Sequence, residues 1–173
     1  NIQVRLDDVN HFISGHESLV YTNNSQDALT TIYMHLWPNA YKNKQTALAK
    51  QLARQKNFIL YSTLKTDKGF IDSLDFHVNG EPIQWNLDST HIDIGVLHLK
   101  TPLMPGQSIT ITTPFRVKLP SGSISRLGHI GQSYQITQWY PKPAVYDREG
   151  WHAMPYLTQG EFYSEFGNYD VQI

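Results

Sequence analysis

Chemistry on this chain would have to come from side chains other than cysteine, which it lacks. That excludes a thiolate nucleophile, a disulfide framework, a Cys-ligated zinc site and an iron–sulfur cluster. The run His16-Glu17-Ser18-Leu19-Val20 comes within one residue of the zinc motif His-Glu-x-x-His, which works because a helix sets two histidines four apart on one face. Here the fifth position is Val20, and the segment alternates as a strand, which sends neighbouring side chains to opposite faces. His11, His35, His77, His91, His98, His129 and His152 are scattered and read as surface or hydrogen-bonded structural histidines. No Gly-x-Ser-x-Gly elbow offers a nucleophile, and no glycine-rich loop leads into a helix that could cradle phosphate. Asp147, Glu149, Glu161 and Glu165 concentrate acids near the C-terminal end. Paired carboxylates could cleave glycosides; the plainer reading pairs these acids with Lys142 and Arg148 or leaves them in water. Asn23-Asn24-Ser25 fits the glycosylation acceptor pattern. No catalytic residue and no metal ligand is therefore expected within the chain.

The elements that must position these residues follow from composition and period. The 173 residues carry 14 Lys+Arg against 15 Asp+Glu, with 40% hydrophobic and 17% charged residues. This is the make-up of one folded domain with an adequate core. It lacks the basic excess of a nucleic-acid binder, and no apolar run is long enough for a helical membrane span.

Period-2 alternation dominates, as in β-strands. Ile2, Val4 and Leu6 share a face, as do Ile13, Leu19 and Tyr21, and then Ile32, Met34 and Leu36. Leu74, Phe76 and Val78 run into Asn79-Gly80, a dipeptide suited to the two positive-φ positions of a type I′ hairpin turn. Pro82 to Trp85 is the expected return strand. Ile92, Ile94, Leu97 and Leu99 follow, with Gly95 marking an expected bulge. Ile109, Ile111, Phe115 and Val117 form another strand, which Pro114 should confine to an edge or a bend. Between residues 44 and 55, Leu48 and Leu52 lie i, i+4 among alanines and lysines, predicting one short amphipathic helix. Many strands and one helix predict an antiparallel β-sandwich.

The C-terminal end changes character. Residues 134–173 hold ten aromatics, Trp139, Tyr140, Trp151 and Tyr156 among them. Between Pro141 and Gly167 strand alternation lapses, so a long aromatic-rich loop is expected, and such loops are often functional.

Thr137-Gln138-Trp139-Tyr140-Pro141, the stretch carrying Arg148, and Tyr169-Asp170-Val171-Gln172-Ile173 resemble the N-terminal domain of M1-family (gluzincin) zinc metallopeptidases. In that family a Thr-Gln-aromatic-Glu-Pro run leads through a loop to a strand of the form Phe-Asp-Val-Thr-Ile. The fuller runs 138–147 and 160–167, with His35-Leu36-Trp37-Pro38-Asn39-Ala40 and Pro102-Leu103-Met104-Pro105-Gly106, are similar to the bacterial secreted branch. The resemblance implies a saddle-like β-sandwich, residues 1–173, excised from a longer protein whose helical catalytic domain would follow and would hold the zinc. It implies that Gln138 lines the pocket for the substrate's first side chain. The family's amine-binding Glu falls at Tyr140, a neutral phenol that cannot pair with an ammonium as a carboxylate does. If residues 138–140 are extended, Gln138 and Tyr140 share the pocket face while Trp139 turns toward the core.

The expected role is thus a non-catalytic domain that docks on the catalytic domain of the same chain and lines its peptide pocket. The branch implies export. Two other readings stay open: a carbohydrate- or protein-binding β-sandwich with Trp139, Tyr140, Trp151 and Tyr156 as a stacking platform, or the same domain from a catalytically silent relative. Metal analysis of the purified, tag-free chain should find less than one equivalent of tightly held zinc, since such sites need three or four protein ligands; a full equivalent would overturn this reading.

Overall fold

The computed structural model describes residues 1–159 and 162–173. Gly160 and Glu161, counted above in the aromatic segment, lie outside the described residues. The chain is mainly β and builds two facing sheets, antiparallel apart from one short terminal strand, with two small two-stranded ribbons beside them.

Strands β1 (Ile2–Asp7) and β2 (Phe12–Thr22) form the first hairpin. Strand β3 (Leu29–His35) crosses to the second sheet and buries Ile32 and Met34 as the alternation predicts. Trp37–Tyr41 then forms a fully buried 3-10 turn with Pro38 near its start. Helix α1 (Ala47–Arg54) falls inside the predicted window and buries Leu48, Ala49 and Leu52. Its N-cap is Thr46, whose Oγ1 accepts from the Ala49 N–H at 3.2 Å and donates to the Ala40 carbonyl at 2.8 Å. One side chain therefore closes the helix start and ties it to the 3-10 turn. A second helix, α2 (Ile59–Ser62), was not expected. Four residues make a single turn, too short to show a period.

Next come β4 (Phe70–Asp72), β5 (His77–Val78), β6 (Glu81–Pro82) and β7 (Gln84–Leu87). The turn between β5 and β6 is Asn79-Gly80, both at positive φ (51° and 84°), as the dipeptide predicts. The return run does not stay in one sheet: β6 pairs β5, and β7 crosses over to pair the next strand, β8 (Ile94–Leu103). Gly95 is not a bulge. It pairs regularly with Met34 and Leu87, and a Cβ there would sit 3.1 Å from Leu36 Cδ1. The register shift in the β3–β8 pair lies instead between Leu29 and Thr31.

Strand β9 (Ser108–Lys118) is the centre of the larger sheet rather than its edge. It pairs β2 over eleven residues. On its other side β5 covers Ile111 and Thr112 and β4 covers Arg116 to Lys118, leaving a gap. Pro114, which has no N–H to give, falls in that gap. There the Thr113 hydroxyl accepts from the Asp75 N–H at 2.9 Å in place of a ladder bond.

The last elements are short: β10 (Gly128–Ile130), β11 (Ser133–Gln135), β12 (Lys142–Pro143), β13 (Tyr146–Asp147), β14 (Gly150–Trp151) and β15 (Val171–Gln172). The larger sheet runs β15-β1-β2-β9-β5-β6, with β4 also on β9; the smaller runs β12-β3-β8-β7. β15 joins β1 in parallel, so the expected terminal strand is present but only two residues long. The core lies between the sheets, where Ile13, Ile111, Phe115 and Val117 meet Ile32, Met34, Leu97 and Leu103. Thr46→Ala should cost about 1–2 kcal/mol in urea unfolding, while Thr46→Ser should keep most of the stability because its hydroxyl can cap as well.

Candidate functional site

Residues 140–148 and 164–169 fold back over β2 and with it line a cleft of about 1150 Å³. Its floor and one wall come from β2, from Glu17 to Tyr21, and the turn that follows it to Asp27. The facing wall holds Tyr140, Lys142, Tyr146 and Asp147, and then Ser164 to Tyr169.

Of the two residues expected at a pocket, Tyr140 lines this cleft and Gln138 does not. Residues 138–140 are not extended. Gln138 is in the left-handed region (φ 53°), so the alternation argument for a shared face fails there. Its side chain engages Lys142, whose Nζ donates to Gln138 Oε1 at 2.6 Å and to Ser164 Oγ at 3.0 Å. Tyr140 donates its hydroxyl to the Tyr169 hydroxyl at 3.3 Å. Burial and that bond push its pKa up, keeping it a neutral phenol. Trp139 is half-buried and reaches the core edge, its ring 5.9 Å from that of Phe115.

Lys142 is a buried ammonium with no carboxylate partner among the described residues. The expected pairing with the acids of the segment is therefore absent among those residues. Its Nζ lies 4.0 Å from the Trp37 ring centroid, a cation–π contact that partly offsets lost hydration. Burial pulls its pKa down to about 8. His35, the cross-strand partner of Lys142, stacks on Trp37 at 4.4 Å with neither ring nitrogen hydrogen-bonded. Burial first, and the Lys142 charge second, bring its pKa down to about 3, against a smaller opposite pull from the His152 main chain. The residue that sequence reasoning passed over is Glu17. It projects inward from β2 between Ile13 and Tyr21, is 2% exposed, and its Oε1 has no partner. Burial raises its pKa to about 8. The alternation Ile13, Gly15, Glu17, Leu19 carried the signal, since it places a carboxyl on the core face.

Of the remaining acids of the segment, Asp147 is engaged locally. Asp147 Oδ1 lies 2.8 Å from His152 Nε2, and its Oδ2 accepts from the Tyr163 hydroxyl at 3.2 Å. Asn23 cannot serve as a glycosylation acceptor as folded: it is buried, and its amide nitrogen donates to the carbonyls of Asp27 (2.7 Å) and Leu103 (2.9 Å). The four rings proposed as a stacking platform are dispersed. Tyr156 is buried, and Trp151 packs among Tyr21, Tyr33 and Tyr146. Among the described residues no group of three or more His, Asp or Glu is arranged to hold a metal ion, and no helix is long and apolar enough to cross a membrane.

No protein-family model and no curated protein matches the chain.

The buried groups make opposing contributions to stability. Glu17 ionises at about pH 4.5 when unfolded but only near 8 when folded, so stability falls as pH rises through that window, by at most ~1.4 kcal/mol per unit. His35 charges readily at its ordinary value of 6.5 when unfolded but only near 3 when folded, so it removes stability as pH falls below 6.5. Urea unfolding should therefore show stability declining from pH 6.5 to 8, and Glu17→Gln should abolish most of that decline. An undiminished slope in the variant would remove Glu17 as its source.

Proposed function

We propose that the chain is the non-catalytic N-terminal β-domain of a zinc-dependent peptidase of the M1 kind, docking on the catalytic domain and helping to shape its peptide pocket. The observation that carries this reading is the apolar rim of the cleft. Phe166 and Tyr169 line it with Tyr140 and are exposed, Tyr169 at 59%. Uncovered apolar side chains gathered on one side of a small domain mark a surface that another protein surface covers. The resemblance in the run from Thr137 to Pro141 falls on this same side. In this reading zinc and the attacking water belong to the catalytic domain, and this chain contributes position and shape. Tyr140, neutral and partly buried, cannot supply the family's carboxylate, so a preference for free amines would rest on groups outside this segment. The parent would be an exported bacterial protein.

A catalytically silent relative would use the same docking surface. The carbohydrate-binding reading draws less support, because a stacking platform needs open ring faces and Tyr156 has none.

The parent gene should encode His-Glu-x-x-His and a distal Glu after this segment; a neighbouring glycosidase domain would sink the reading. In the parent enzyme, Gln138→Ala should change the ratio of cleavage rates between peptides differing in their first residue by roughly ten-fold or more, the scale of one pocket contact at about 1–3 kcal/mol. The effect would act through Lys142, which Gln138 holds at 2.6 Å. Unchanged ratios would remove Gln138 from the pocket and leave the domain placement standing.

A further inference from the structure

Glu17 poses a question that packing does not answer. A carboxyl placed in a sandwich interior without a hydrogen-bond partner costs several kcal/mol. An apolar residue at this inward position of β2 would avoid that cost. Residues on the same face of β2 are apolar or aromatic, namely Ile13, Leu19 and Tyr21. Nothing in the sandwich uses the carboxyl: its Oε1 is unpartnered, and no salt bridge reaches it among the described residues.

Its position supplies a use. Glu17 is part of the cleft lining, and the ionisable side chains around that cleft are acid-rich. Glu17, Asp27, Asp147 and Glu165 stand against Lys142 and Arg148. Tyr140, held neutral by burial, feels the Glu17 charge and offers a ring to a cation, and Tyr21 lies further along the same face of β2. The apolar rim at Phe166 and Tyr169 requires that whatever enters be partly apolar as well.

We propose that Glu17 is the buried anchor for an arginine side chain carried on an apolar segment of the protein that covers this cleft. A guanidinium fits better than an ammonium, because its planar fork can give parallel N–H bonds to both carboxyl oxygens and stack on the Tyr140 ring. Glu17 is only 2% exposed, so the arginine reaches it from the cleft side, where the Tyr140 and Tyr169 hydroxyls meet at 3.3 Å and must part. The proposal rests on the reading that another protein segment covers this face, not on that segment belonging to a peptidase. A gene without a zinc motif would overturn the peptidase reading and leave this one untouched.

Docking would also release a proton. Alone, Glu17 is held in its neutral form by burial; the amino group of Asn1, the cation that pulls the other way, donates to the Ser18 carbonyl at 2.9 Å. Tyr140, held neutral by burial, stands nearest to it, with the Tyr169 hydroxyl bonded to Tyr140, and Lys142 lines the same cleft without bonding it. A guanidinium makes the carboxylate the stable form, so affinity should rise with pH until Glu17 is ionised without a ligand.

The probe is the blocked peptide acetyl-Leu-Arg-Leu-amide, with citrulline in place of arginine as its neutral counterpart. Titration into the native chain at pH 8.5, followed by amide chemical shifts, should move residues 16–18 and favour the arginine peptide by at least about ten-fold. Lowering the pH to 6 should weaken that peptide by up to about a hundred-fold, the population of ionised Glu17 setting the limit. Glu17→Gln should bind both peptides alike, while Glu81→Gln, at an exposed acid outside the cleft, should keep the preference. Equal binding of the two peptides by the native chain would overturn the proposal. So would an undiminished preference in Glu17→Gln, an equal loss in Glu81→Gln, or binding confined to the free-amine peptide Leu-Leu-Leu-amide. Should Glu17→Gln fail to fold, the peptide comparison and its pH dependence in the native chain still decide the matter.

Discussion

The eleven-residue pairing of β2 with β9 is the constraint on which the rest of the molecule hangs. A side-chain period of two makes register absolute: once Ile13 faces Val117's side of the sheet, Glu17 must face inward with it. The same pairing carries β1 on one side and β4 and β5 on the other. It also dictates where Pro114 can be tolerated. Opposite β2 the strand is paired throughout, so the proline's missing donor has to fall on the side where β4 stops and β5 has not yet begun. The central strand is thus continuous on one edge and interrupted on the other, and Asp75 and Thr113 bridge the interruption.

Around this frame the chain keeps a set of buried polar groups with unequal satisfaction. Asn23 and Asn39 are fully used: Asn39 accepts from Ile71 N–H and donates to the Ile92 carbonyl, tying the 3-10 turn to β4 and to the approach of β8. Asp93 accepts from the Tyr156 N–H at 2.7 Å and so pins the C-terminal segment to the second sheet. These bonds hold loops where sheets cannot. Glu17 Oε1, both His35 ring nitrogens and Asp93 Oδ1 are buried without a partner, and Lys142 has hydrogen bonds to Gln138 and Ser164 but no carboxylate beside it. Buried groups of this kind gather where a protein does something besides fold, and Glu17 and Lys142 line one cleft.

Much of the architecture could be read from the chain because alternation and turn chemistry act locally. Ile32 with Met34, the Asn79-Gly80 turn and the helix around Leu48 and Leu52 all needed only neighbours in sequence. The errors arose where distant strands decide. Gly95 is small because Leu36 presses against it, not because the strand bulges. Pro114 sits mid-sheet because of where two other strands end. Gln138 escapes extension because Lys142 and Ser164 draw it into a bonded cluster. For the cleft, the sequence marked Tyr140 through its motif but not Glu17. A lone carboxyl in an alternating run announces nothing until the fold shows which side it is on.

The short strand β15 carries one more consequence. It ends the larger sheet and pairs only through β1, so its outer row of amides and carbonyls faces outward, flanked by the exposed Val171 and Ile173. Two residues leave only a short row open, and a very short edge strand is one of the ways a sheet blunts pairing between copies. On this side the larger sheet therefore ends in an edge that limits strand addition rather than invites it.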